Sequence, residues 1–402
     1  MNIRKNLNTL SADEVAALKR AFAQAYVADD AYEPFAGIHG LPDPISCPHH
    51  TPDLAFLPWH REYLLQFEAM LQRFEPAVVL PYWDWSEDPS DTADGLPALF
   101  QPEPDGDGEN QNPLFRAPMR WVPELIEQIG DQLPPETLEF LGEGWSLRAV
   151  SPPESRHDAA GFNLRALAAA AEMEPSIEEF NDVIEQPHDG LHFYIGHHMA
   201  AVPTASFDPI FWLHHCNVDR QWARWQALHP EANSHPSPDA TSHDLSDRPF
   251  SELLDSRALG YDYDDLAPLR EPVPQPMAAF RAQAARRVPT GRRLVLENLR
   301  QPGNRSFTLR FFKSARADER TPTRGNPDFL GEIPLFGHGP ELSGGGGHDH
   351  HHGHAPQRPF RRQLLLPSGL EVDPARVSIV ATDWEGRLVP SEQIVPEPPV
   401  LR

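Results

Sequence analysis

The chain has 402 residues, two cysteines and a formal net charge of -25, with a pI near 5.1. So acidic a surface argues against nucleic acid or an anionic membrane as the main partner, and two cysteines exclude a disulfide framework. No window approaches the ~20 apolar residues of a membrane span, and the opening MNIRKNLNTLSADEVAALKR has no apolar signal core; a soluble cytoplasmic protein is expected, with carrier-assisted export still compatible.

In chain order, Ser11 to Glu14 reads as a capping box ahead of the amphipathic Val15, Leu18 and Phe22. Helical patterns recur at Tyr63–Phe74, Asn163–Ala171, Ile177–Ile184, Leu191–Met199 and Pro209–Leu228. Polar, Pro-rich loops, Gln101–Asn112 and Pro230–Pro249, lie between them. Ala267–Pro276 reads as a semi-rigid linker. Beyond it the period changes: Arg293–Leu299 and Ser306–Phe312 flank a Pro302-Gly303-Asn304 turn, and Gln363–Leu366 and Val377–Thr382 are further strands. The expected organisation is a mainly α domain at 1–266, a linker at 267–276 and a β-rich C-terminal domain at 277–402. A β cap on the same domain is the alternative. Ser343–His354, SGGGGHDHHHGH, is low-complexity, with loose metal binding or a plain linker as its two readings.

The chain holds 20 histidines, and they fall in two clusters. The second reads PHDGLHFYIGHHM followed by SFDPIFWLHHCNVDRQW. His188 and His192 are four apart, which puts both rings on one helix face. His214 and His215 follow in an apolar run, where a buried imidazole needs a partner; a metal suits several neutral rings at once. The first cluster offers His39, His49 or His50, and His60. Each cluster can give three imidazoles to one ion. Copper, zinc and iron all accept imidazole, but no carboxylate is interleaved at ligand spacing, which counts against a two-histidine, one-carboxylate iron site. Three rings twice over suits a pair of coppers.

These segments resemble the type-3 copper family of tyrosinases, catechol oxidases and molluscan-type haemocyanins. FLPWHREYLLQFE and LPYWDW are similar to the family's first-copper signature, and HDGLH with DPIFWLHHCNVDRQW to the second, over roughly residues 10–230. The resemblance implies a helical bundle holding two copper ions, followed by a β-rich domain that shields the site. It implies His39, His49 and His60 as ligands of one copper and His188, His192 and His215 as ligands of the other. His214 would then support a ligand ring; Asp84, Asp208 and Asp219 lie near in sequence and read either as further supports of the ligand rings or as helix caps and surface ion pairs. Cys47-Pro48-His49 resembles the Cys-X-His thioether crosslink of the family, joining Cys47 to His49. His49 lies two residues further from His60 than is common, so His50 stays open for that position. Gly196-His197 stands where a Gly-Gly pair is usual, and the added imidazole could crowd the substrate mouth.

The implied reaction is oxidation of monophenols or o-diphenols to o-quinones by molecular oxygen. A phenol ionises near pH 10, so a base is needed; Glu185 in IEQPH is the nearest match to the family's glutamate, with Glu179 as fallback, and Asp189 stands beside His188 where many relatives carry Asn. The alternatives are a haemocyanin-like oxygen-binding protein and an o-aminophenol oxidase. Small phenols and oxygen are the expected partners.

Overall fold

The computed structural model describes residues 1–40, 47–48, 53–86, 95–103, 112–132, 135–150, 164–242, 245–268, 292–302, 305–313, 317, 326–337, 358–366, 370–383 and 386–402. His49, His50, the linker beyond Pro268 and the Ser343–His354 loop lie outside them.

The first two-thirds of the described chain is helical. Helices α1 (Ala12–Val27), α2 (Tyr32–Gly37), α3 (Phe56–Gln72), α4 (Trp121–Ile129), α5 (Pro135–Leu141), α6 (Leu164–Glu172), α7 (Ile177–Ile195), α8 (Val202–Ala205) and α9 (Pro209–Leu228) succeed one another. The capping box at Ser11 and Glu14 starts α1, with both reciprocal hydrogen bonds made. Two of the patterns read from sequence, Ile177–Ile184 and the first turn of Leu191–Met199, merge into the single helix α7, which runs through Pro187; the rest of the second pattern falls in a separate 3-10 turn at His197–Ala200. A mid-helix proline costs about 3 kcal/mol; burial of α7 on nearly every side outweighs it. The helix stops at Gly196, whose φ is +71° and whose added Cβ would lie 2.4 Å from the Ala149 carbonyl oxygen.

Helices α3 and α9 form the centre. Phe67 stacks on Trp212, with centroids 3.4 Å apart and planes 2° apart. Arg61 of α3 donates to Asp219 of α9 at 2.6 Å, its guanidinium 3.7 Å over Trp222. Asp219 also accepts from the Tyr261 and Tyr263 hydroxyls and from Arg4. Arg4 lies on β1 (Asn2–Arg4), which pairs in parallel with β4 (Tyr261–Tyr263). Burial works against ionisation of Asp219, but Arg61 and Arg4 hold its carboxyl below the ordinary value. This buried network clasps the chain's first strand to the two central helices. Between them, β2 (Thr241–Ser242) and β3 (Ser246–Pro249) form a short ladder inside the segment read as the Pro230–Pro249 loop.

The C-terminal part is antiparallel. Strands β5 (Arg293–Leu299), β6 (Phe307–Phe312), β8 (Phe360–Leu365) and β9 (Ser378–Asp383) match the sequence reading to within a few residues. Strand β7 (Phe329–Leu335) was not anticipated, because Gly331, Glu332 and Pro334 interrupt its alternation. With β10 (Leu388–Val389) and β11 (Val400–Leu401), the sheets run β10-β9-β6-β7 and β11-β5-β8. They enclose a core of their own around Leu296, Leu309, Ile333 and Leu364. Phe336, just past β7, belongs instead to the helical core. The described architecture is thus a helical bundle followed by a β-rich part, and among the described residues no helix is long and apolar enough to cross a membrane.

Candidate metal centre

Helix α7 carries His188 and His192 one turn apart, and α9 brings His215 opposite them. Their Nε2 atoms form a triangle with edges of 3.0 Å (His188–His192), 3.3 Å (His188–His215) and 3.4 Å (His192–His215). All three residues are buried. The far ring nitrogens fix the orientation: His192 Nδ1 donates to the Met199 carbonyl at 2.7 Å, and His188 Nδ1 to Asp189 Oδ1 at 3.0 Å. With the protons outward, the Nε2 lone pairs face one another. Burial, then the neighbouring rings, push His215 well below its ordinary pKa, so it is neutral. Converging lone pairs on neutral rings repel unless a cation lies among them. Edges of this length suit one ion bonded to each nitrogen at about 2.0–2.1 Å.

The first cluster repeats the device. His39 Nδ1 donates to the Val202 carbonyl and His60 Nδ1 to the Phe56 carbonyl, each at 2.7 Å. Cys47 Sγ lies 3.7 Å from His60 Nε2, and one ligand atom from each of His39, Cys47 and His60 falls within 4.8 Å of the others. Burial raises the Cys47 thiol well above its ordinary pKa. His49 lies outside the described residues, and with it the expected bond to Cys47. The clusters adjoin: the His60 ring stacks on His215, centroids 4.2 Å and planes 13° apart.

Of the two readings of the nearby acids, cap or ion pair is the one the structure has. Asp208 caps α9 through the Ile210 amide at 3.0 Å and pairs with Arg148 at 2.6 and 2.8 Å. Asp84 pairs with Arg220 at 2.9 Å, and Asp219 belongs to the Arg4–Arg61 network. Three backbone carbonyls do the orienting instead, and no side-chain motif encodes a carbonyl. His214 touches the site by ring contact, stacking on His188 at 5.1 Å, and neither of its nitrogens has a hydrogen-bond partner among the described residues. His197 lies flat on Phe140 and shares the Phe140 carbonyl with His198.

Of the two glutamates, Glu179 lies on the first turn of α7 at the Ser176 cap, 3.7 Å from Arg361. Glu185 is wholly buried, accepts from Asn181 and lies 3.3 Å from Arg362. Asp189, expected among the catalytic groups, turns its carboxylate to the outer nitrogen of His188 and to Arg362, 3.1 Å away. Burial pushes Asp189 up to about 8, with Arg362 pulling the other way.

Two residues of the β-rich part that sequence reasoning missed lie at this centre. Phe336 stacks on His192, centroids 4.0 Å and planes 13° apart, and meets His188 edge-on at 5.8 Å. Arg362, on β8, reaches both acids of α7. Neither carries a signal in its own neighbourhood of the sequence: one is a phenylalanine after a strand, the other one arginine among several.

Residues 29–228 match the family model for the common central domain of tyrosinase. The chain is 32% identical to a tyrosinase of Streptomyces lincolnensis over 282 residues, covering 63% of this chain and 96% of that one. It is 26% identical over 299 residues to Hemocyanin 2 of Megathura crenulata, covering 66% of this chain but only 8% of that much longer one. The structure of a functional unit from octopus hemocyanin superposes with a TM-score of 0.66 at 20% identity, covering 100% of this chain and 99% of that one.

Proposed function

Because this chain belongs to the tyrosinase family of type-3 copper proteins, with two copper ions as its cofactor, we propose that it is an oxidase converting phenols or catechols to o-quinones. On this reading His188, His192 and His215 hold one copper, and His39 and His60 hold the other together with His49. When bound, the pair supplies the redox chemistry that activates oxygen.

The chain's own groups do the rest. Outward Nδ1–H bonds from His39, His60, His188 and His192 keep each ring from turning and point its inner nitrogen toward the metal position. Glu185 takes the phenolic proton, so that substrate reaches the metal as phenolate. Phe336 covers the face of His192 and excludes water; a flat substrate ring competes for that surface, so the resting enzyme is slow until Phe336 moves.

The observation that carries the oxidase reading is the burial of Glu185 on the helix that delivers His188 and His192. Reversible oxygen binding needs no proton acceptor there. The cover by Phe336 favours the second reading, an oxygen carrier. An oxygen electrode separates them. With catechol, the copper-loaded oxidase consumes one oxygen per two catechols, since each catechol yields two electrons and two protons and oxygen leaves as two waters. A carrier takes up one oxygen per copper pair, releases it under vacuum and leaves catechol unchanged. Repeating the measurement with a monophenol, and with an o-aminophenol, assigns the substrate class.

A further inference from the structure

The β-rich part meets the metal rings through Phe336 and the acid behind His188 through Arg362. Arg362, wholly buried on β8, lies 3.1 Å from Asp189 Oδ2 and 3.3 Å from Glu185 Oε2 through one nitrogen, and its other terminal nitrogen donates to the Asp182 carbonyl at 2.8 Å. The second oxygen of Asp189 accepts from His188 Nδ1 at 3.0 Å, and His188 Nε2 faces His192 and His215. A guanidinium, a carboxylate, an imidazole and the metal position therefore form one line. A carboxyl oxygen on the outer nitrogen fixes a ligand ring, and Arg362 in turn fixes that carboxyl group from the far side. Two carboxylates on one helix face also repel, unless one cation lies between them.

We propose that Arg362 is a positioning residue for the second copper: through Asp189 it holds the His188 ring, so the segment that covers the centre also helps it to keep its metal. This rests on the assignment of His188 to that copper. Nearby, Arg358 pairs with Asp182 across the same α7–β8 contact without touching a ring, and it separates docking from positioning.

The test is titration of the metal-free full chain with Cu(I) against a chromogenic chelator, reading affinity and stoichiometry, with folding followed by circular dichroism. R362M is expected to bind one copper as the unaltered protein does and the other 10–100-fold more weakly, the range for loss of an outer partner of a ligand. R362K, which keeps the charge but not the fork, should fall between them, and R358Q should match the unaltered protein. In a D189N background, R362M should change little more. H188A is the reference and should lose one copper outright. If H188A retains both coppers tightly, the site assignment fails. If H188A loses one while R362M keeps both at full affinity, the positioning role fails. Equal weakening by R358Q and R362M also overturns it, because loosened docking would then be the cause. Should R362M not fold, R362K and D189N decide the matter: full affinity in both refutes the proposal.

Discussion

Phe336 and His192 lie face to face, ring centroids 4.0 Å apart and planes 13° apart, although 144 residues separate them in the chain. The phenylalanine comes from the β-rich part and the imidazole from α7, so the contact joins the two halves of the molecule at the metal centre. F336A should open that face. We expect kcat/KM for a bulky catechol to rise about tenfold, since even ~1.4 kcal/mol of displacement cost is a factor of ten, while the melting temperature falls through loss of a buried aromatic. Steady-state oxygen uptake checks it; an unchanged or lower rate in a folded, copper-loaded variant refutes the covering role.

Each cluster has few rings to lose. H192A and H60A should each reduce bound copper from two ions to one and bring catechol oxidation to background, because affinity depends on ligand number and geometry. Metal analysis of the purified variants, with circular dichroism for the fold, provides the measurement. Full activity in either variant would contradict the assignment.

Glu185 is read as the acceptor of the phenolic proton. E185Q keeps the shape and can still meet Arg362 through its carbonyl oxygen. Monophenol oxidation should drop by roughly 10²-fold or more, the lower end of what a positioned base contributes, with copper content unchanged. An unaltered monophenol rate would move the role elsewhere.

Acid should destabilise the metal-free protein in a defined window. Burial pushes His198 and His214 down to about 3, against about 6.5 when unfolded. Between those values the unfolded chain binds protons that the folded one does not. Stability is therefore full above about pH 6.5 and declines as pH falls toward 3, by ~1.4 kcal/mol per unit for each such group. Glutamine can copy both His198 bonds, accepting from the Leu147 amide and donating to the Phe140 carbonyl. H198Q should thus reduce the pH slope of unfolding free energy by about one proton; denaturant melts from pH 4.5 to 7.5 measure it, and an identical slope would refute it.

What the sequence by itself determined was local. The 3.6-residue period marked α3, α6 and α9, the Ser11–Glu14 box marked the start of α1, and the i,i+4 spacing put His188 and His192 on one face, because helix geometry is set by neighbours in the chain. The strands were legible too, β6 by its alternation and β5, β8 and β9 as strand-like runs, whereas β7 was hidden by its glycine and proline. Asp189, the neighbour of His188 in the chain, orients that ring; what orients His39, His60 and His192 only the tertiary structure decided. Phe56, Met199 and Val202 do so through carbonyls that any residue would offer, while Asp84, Asp208 and Asp219, which the sequence left open between ring supports and caps or ion pairs, turn to arginines. It alone brought Phe336 and Arg362 to α7. Contacts between segments so far apart depend on how whole faces pack, and no short-range pattern in the chain records them.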